Sequence, residues 1–67
     1  MTVAKVSEIC ASSEKSFDDA MRKGLARANK TLKNITGAWV ADQEIMVDKG
    51  KITSYRVRMR ITFVLEG

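Results

Sequence analysis

The sequence predicts an α+β protein in which a three-stranded antiparallel sheet wraps around one helix, in the order β-α-β-β. Two observations predict this fold. Apolar and polar residues alternate in three stretches, as in strands, and apolar residues recur every three or four positions between the first two, as in a helix. A chain of 67 residues has room for one domain, which we expect to span residues 1–67.

The first strand is predicted over Val3 to Ala11, and Ser12 and Ser13 are expected to end it. Both sets of alternating positions contain apolar residues, for example Val3 and Ile9 on one face and Val6 on the other. We therefore expect both faces of this strand to be at least partly buried.

A helix is predicted from about Ser16 to Asn34. Its apolar residues form one stripe that ends near Ile35. Ser16 with Asp19 matches the S-x-x-[DE] capping pattern, in which the serine oxygen and the carboxylate accept hydrogen bonds from backbone N–H groups of the first turn. Gly24 lies on the apolar stripe, which indicates a close approach of the helix to the sheet. Gly37 is expected to end the segment.

The second strand is predicted over Ala38 to Val47, again with no purely polar face, so burial on both sides is expected. Strict alternation places Trp39, the only tryptophan, on the same face as Gln43. The following residues, Asp48 to Lys51, predict a hairpin turn in which Gly50 can adopt a positive φ.

The last strand is predicted from near Lys51 and has its clearest pattern between Tyr55 and Leu65. One face is apolar and should pack on the helix, whereas the other carries three arginines. The apolar positions are Tyr55, Val57, Met59, Ile61, Phe63 and Leu65, and the arginines are Arg56, Arg58 and Arg60.

Composition argues against an enzyme and favours self-association. Without histidine, and with Cys10 as the only cysteine, the chain lacks the usual neutral-pH base, the commonest zinc ligand and an intrachain disulfide. So small a domain usually needs another stabiliser, and further copies of the chain are the expected one. A lone thiol fits the cytoplasm, and no stretch is apolar enough to span a membrane. The net charge of +4 suits an anionic partner. The chain has no run of adjacent Lys or Arg, however, so nucleic acid is not the favoured partner.

Eight groups of residues, spread over essentially the whole chain, carry a resemblance to a known family. They are Lys5-Val6-Ser7-Glu8-Ile9, Ser12-Ser13, Ser16-Phe17-Asp18-Asp19-Ala20, Ala26-Arg27-Ala28, Thr31-Leu32, Asp48-Lys49-Gly50-Lys51-Ile52, Tyr55-Arg56-Val57 and Ile61-Thr62-Phe63. On these residues, and on their spacing rather than on one short motif, the sequence resembles the dodecins, small flavin-binding proteins that assemble as hollow dodecamers.

The resemblance implies a homo-oligomer that stores or buffers flavin, either riboflavin or FMN. In this family, flavins are held in pairs at subunit interfaces, each stacked on a tryptophan, and a glutamine of the last strand binds the polar edge of the ring. Those two positions are occupied here by Gly37 and Arg56, and Trp39 lies two residues further along the same strand. The cofactor site predicted from the resemblance comprises Gly37, Trp39, Gln43 and Arg56.

Three alternatives remain open at the level of sequence. The pocket of a dodecin-like assembly could hold a different anionic cofactor or a cation, or the particle could be purely structural. No metal-binding residues are predicted, because the carboxylates Asp42, Glu44 and Asp48 of one strand supply few of the roughly 6–8 oxygens that calcium requires.

Overall fold

The computed structural model describes residues 3–65 and has the predicted β-α-β-β order. The elements are β1 (Val3–Ser13), α1 (Phe17–Ala28), β2 (Ile35–Asp48) and β3 (Lys51–Leu65). All neighbouring strands are antiparallel, and β3 lies in the centre of the three-stranded sheet, in the order β1-β3-β2. The predicted fold class is therefore confirmed. Within residues 3–65, no helix has the length and apolar character needed to cross a membrane.

The core lies between α1 and the central strand. Val57 and Met59 of β3 pack against Ala20 of α1, and Ile61 and Ala28 are buried as well, so the core face of the last strand is the one that its alternation predicted. The two aromatic residues of the same face, Tyr55 and Phe63, are less covered and are half-buried. Tyr55 packs edge-on against Phe17, with ring centroids 5.0 Å apart.

The helix begins where it was predicted but ends earlier. Ser16 caps α1, and its hydroxyl accepts a hydrogen bond from the Asp19 backbone N–H at 3.0 Å. The predicted end at Asn34 is wrong, since α1 stops at Ala28 and a turn follows. The chain then reverses at Asn34, which has a φ of 61°, a left-handed conformation that asparagine tolerates.

The prediction that Gly37 ends the helical segment is wrong. It lies inside β2 and pairs with Thr62 of β3. The apolar repeat misled the prediction because Leu32 and Ile35 are indeed partly buried, although the backbone that carries them has left the helix. The apolar repeat therefore extends past the end of the helix, because it follows the burial of side chains and not the conformation of the backbone.

The close approach predicted for Gly24 is confirmed. A Cβ atom at this position would lie 2.9 Å from the Ala11 Cβ of β1 and 3.0 Å from the Met59 Cε of β3. Only a residue without a side chain lets α1 lie this close to the sheet.

The β2–β3 hairpin has its turn where predicted, but the strand β2 departs from the predicted alternation. Lys49 and Gly50 both have positive φ, at 52° and 76°, which is the pattern of a two-residue type I′ turn. Further along β2, the register with β3 shifts between Val40 and Asp42, so that Ala41 forms a bulge without a partner. Residues beyond a bulge exchange faces relative to those before it.

The expected burial of both faces of the outer strands is not found within one subunit. In β2 every residue except the half-buried Ile35 is exposed, and Val3 and Val6 of β1 are about half exposed. The reason is geometric, since α1 packs on one side of β1 and β3 and leaves β2 largely uncovered.

Candidate ligand-binding site

The side of the sheet turned away from α1, here called the outer face, carries the three arginines of β3 in a row. Cross-strand pairing places Arg56 opposite Glu44, Arg58 opposite Asp42 and Cys10, and Arg60 opposite Glu8 and Trp39. These positions follow from the register, because Val57, Met59 and Ile61, which alternate with the arginines, are buried beneath α1.

Each arginine of the outer face is paired with a carboxylate. Arg56 Nη1 lies 3.2 Å from Glu44 Oε1, and Arg58 Nη1 lies 3.2 Å from Asp42 Oδ2. Arg60 Nε lies 3.1 Å from Glu8 Oε2, and the other oxygen of Glu8 is 3.8 Å from Arg58 Nε. Three positive charges therefore face three negative charges, so the face predicted to be basic is electrically balanced.

Arg58 is the most constrained of the three. A hydrogen bond with Cys10, together with the negative charges of Asp42 and Glu8, raises the pKa of Arg58 above its ordinary value. The pairs are about half exposed, and exposed ion pairs contribute little to stability because water screens the charges. Their main consequence is the orientation of the guanidinium groups.

Two of the predicted site residues, Gly37 and Trp39, lie together on the outer face. Gly37 pairs with Thr62 and Trp39 with Arg60, which are successive outer-face positions of β3. The Trp39 side chain is exposed to 47%, and a Cβ built on Gly37 would meet no atom within 4 Å. Next to the indole there is thus open space directly above the backbone.

The other two predicted residues lie apart from this pair. Arg56 is four residues from Arg60 along β3, a separation of ~13 Å at the usual rise of a strand. Gln43 pairs with the buried Val57, so it lies on the helix side of the sheet. The expectation that Trp39 and Gln43 share a face is wrong, because the bulge at Ala41 reverses the alternation between them.

The grooves on the helix side do not unite the predicted residues either. A cavity of about 210 Å³ between α1 and β2 is bordered by Trp39 together with Met21, Leu25 and Met59, but not by Gly37, Gln43 or Arg56. A larger cavity of about 430 Å³ lies between α1 and β1, on the other side of the helix.

Among residues 3–65, no group of three or more potential ligands could hold a metal ion. The central strand with its arginines lies between Glu8 of β1 and the carboxylates Asp42 and Glu44 of β2. Glu8, Asp42 and Glu44 each accept a hydrogen bond from an arginine at 3.1–3.2 Å.

Sequence reasoning missed Arg60 as the cross-strand neighbour of Trp39, and Glu8 as the partner of Arg60. Alternation placed Arg60 on the correct face but could not place it opposite Trp39, since that depends on the register of two strand pairs. The available signal was the presence of carboxylates at alternating positions of the outer strands, Glu8 in β1 and Asp42 and Glu44 in β2, beside the three arginines of β3.

Comparison with known proteins identifies the family to which this chain is similar. Residues 3–66 match the model of the Dodecin family. A curated relative, the calcium dodecin of Mycobacterium tuberculosis, is 36% identical over 64 residues, which cover 94% of this chain and 89% of that protein.

Solved structures agree with the fold. A mutant of the Thermus thermophilus dodecin superposes with a TM-score of 0.94 at 28% identity, covering 100% of both chains. The crystal structure of the Mycobacterium tuberculosis calcium dodecin, which is described as having a novel calcium-binding site, gives a TM-score of 0.82 at 32% identity and covers 96% of this chain and 91% of its own. On the match to the family model, the similarity in sequence and the shared fold, the chain belongs to the dodecin family.

Proposed function

We propose that the protein is a flavin-binding homo-oligomer that sequesters riboflavin or FMN and has no catalytic activity of its own. The observation that carries the proposal is the exposed indole of Trp39 beside the open backbone at Gly37, on a sheet face that α1 does not cover. A planar ring can stack on an indole and lie against the flat surface of a glycine.

Self-association is proposed from the uncovered surface. Both β1 and β2 are edge strands, and β2 exposes Trp39, Val40, Ile45, Met46 and Val47. Exposed edges with apolar side chains favour contact with another chain. In such an assembly, which family resemblance suggests is a dodecamer, Arg56 and Gln43 would reach a flavin on Trp39 only from a neighbouring subunit.

The cytoplasm is the proposed location. Cys10 is a free, exposed thiol, and a reducing compartment would keep it in that state. Flavin in the same compartment would then be the available ligand.

A cation is the second candidate ligand, and similarity to a calcium dodecin is the observation that favours it. The geometry of this chain favours it less, because Glu8, Asp42 and Glu44 each already accept a hydrogen bond from an arginine. A calcium titration followed by calorimetry separates the two candidates. Heat of calcium binding without any uptake of riboflavin would favour the cation.

Replacement of Trp39 tests the flavin proposal. Stacking on the indole should dim riboflavin emission, and Trp39→Ala should weaken binding by ~1–3 kcal/mol, or roughly 5- to 150-fold. Arg27→Ala is the control, since Arg27 is exposed on α1 and lies away from the sheet face that carries Trp39. Fluorescence titration with riboflavin measures both variants.

A second variant moves the indole to the position that the family uses. Gly37→Trp combined with Trp39→Ala should restore binding, because both positions lie on the outer face and the space above Gly37 is open. Tight binding that survives Trp39→Ala alone would place the flavin elsewhere.

A further inference from the structure

We propose that Arg60, rather than Arg56, binds the polar edge of a ligand that stacks on Trp39 of the same subunit. This inference rests on the proposed function and assigns a binding residue to its site. It identifies the ligand edge by chemistry, as one with adjacent hydrogen-bond acceptors.

The first argument is position. Arg60 is the direct cross-strand partner of Trp39, and such partners have Cβ atoms ~4.5–5.5 Å apart. Thr62 is the next outer-face residue of β3 and pairs with Gly37. A ring that lies over Gly37 and against Trp39 is therefore bordered along one side by Arg60 and Thr62.

The second argument is the unused hydrogen-bonding capacity of Arg60. Its Nε donates to Glu8 Oε2 at 3.1 Å, whereas its two terminal Nη groups have no protein partner within residues 3–65. Arg56 and Arg58, in contrast, each direct an Nη1 to a carboxylate. Glu8 thus holds the guanidinium of Arg60 in place and leaves its ends available.

The third argument is the chemistry of the guanidinium group. Arginine only donates, and its amino groups suit two neighbouring acceptors in one plane. The isoalloxazine ring offers this pattern where a carbonyl oxygen lies beside an unprotonated ring nitrogen. The ring edge that carries an N–H between its carbonyls needs an acceptor as well, which arginine lacks. Arg60 therefore selects an acceptor-only edge.

The charge balance also supports hydrogen bonding over simple attraction of anions. Near Trp39, Arg58 and Arg60 are matched by Glu8 and Asp42. A ligand at this point meets little net charge, so directed hydrogen bonds dominate recognition.

The test is a riboflavin titration of the assembled protein, read from riboflavin emission and from the emission of Trp39, the only tryptophan in the chain. Arg60→Gln should weaken binding roughly tenfold or more, the range for hydrogen bonds to a charged group. Arg60→Lys keeps the charge and can still pair with Glu8 but loses the two terminal amino groups, so it should also bind more weakly. Arg27→Gln is the matched control, since Arg27 is exposed on α1 and its replacement removes the same charge.

The outcomes separate this inference from the proposed function. Weaker binding in both Arg60 variants, with Arg27→Gln unchanged, supports it. Equal losses in Arg60→Gln and Arg27→Gln would indicate general electrostatics and overturn it. Unchanged binding in Arg60→Gln, with binding lost in Trp39→Ala, would overturn the role of Arg60 alone. Absence of riboflavin binding by the wild type would overturn the role of Arg60 together with the proposed function.

Discussion

At the scale of single residues, Asp19 joins the start of α1 to the end of β1. Its backbone N–H donates a hydrogen bond to the Ser16 hydroxyl, while its carboxylate accepts hydrogen bonds from the buried Ser13 hydroxyl and from Lys23. The capping pattern predicted that this carboxylate would take up a backbone N–H of the first turn, but in the structure it contacts side chains instead. The pKa of Asp19 is lowered from 3.8, first by the Ser13 hydrogen bond and then by Lys23.

This lowered pKa predicts a loss of stability in acid. Because the folded protein holds the Asp19 proton less tightly than the unfolded chain, the stabilisation is present above pH 3.8 and is lost as the pH falls through the folded-state pKa. Urea unfolding at about pH 6 and about pH 3 should show a smaller decrease for Asp19→Asn than for the wild type. Asp18→Asn, which changes an exposed carboxylate of the same helical turn, is the control. An acid decrease that is identical in Asp19→Asn and the wild type would contradict this role.

At the scale of elements, the contact of α1 with β1 and β3 depends on Gly24. The backbone of α1 approaches so closely that a side chain here would overlap Ala11, whose Cβ cannot rotate away. The neighbouring Ala26 lies on the exposed side of the same helix. The same substitution at Gly24 and at Ala26 therefore distinguishes the effect of packing on stability from the effect of helix propensity.

Gly24→Val should therefore reduce the free energy of unfolding by about 1–3 kcal/mol, the usual cost of overpacking a core. Ala26→Val introduces the same β-branched residue into the helix without the overlap, so it should cost only a few tenths of a kcal/mol, as expected from helix propensity. Chemical denaturation of the two variants measures the difference. Equal stability would mean that α1 can move away from β1 without cost.

The sequence was sufficient for the kind and order of the elements because periodicity reports which side chains are covered. The apolar positions Val57, Met59 and Ile61 identified the core face of β3 correctly. Periodicity could not locate the end of α1, since Leu32 remains partly buried after the helix has stopped at Ala28.

The candidate site was less predictable for a similar reason. Two steps along a regular strand kept Gly37 and Trp39 on one face, as expected. The bulge at Ala41 then placed Gln43 on the opposite face, and no residue type in this part of the sequence predicts such a bulge. The pairing of Arg60 with both Trp39 and Glu8 requires the register of the whole sheet, which alternation within single strands does not contain.

At the scale of the whole molecule, much of the chain lacks a partner surface. The β2–β3 hairpin extends past the end of β1, whose Ser13 pairs with Tyr55, so Lys51, Ile52 and Ser54 of β3 pair with β2 alone. Val47 and Ile52 on this extension are exposed to 57% and 51%. A two-stranded ribbon is marginally stable by itself, so this extension also favours contact with other subunits.

Native mass spectrometry of the protein mixed with riboflavin tests the central proposal most directly, since it reports subunit number and bound ligand together. We expect a closed oligomer, a dodecamer if the family resemblance extends to assembly. It should carry riboflavin at no more than one molecule per subunit, because each chain has one tryptophan. A species of 7.5 kDa, or an oligomer that retains no riboflavin, would contradict the proposal that this protein is a flavin-sequestering assembly.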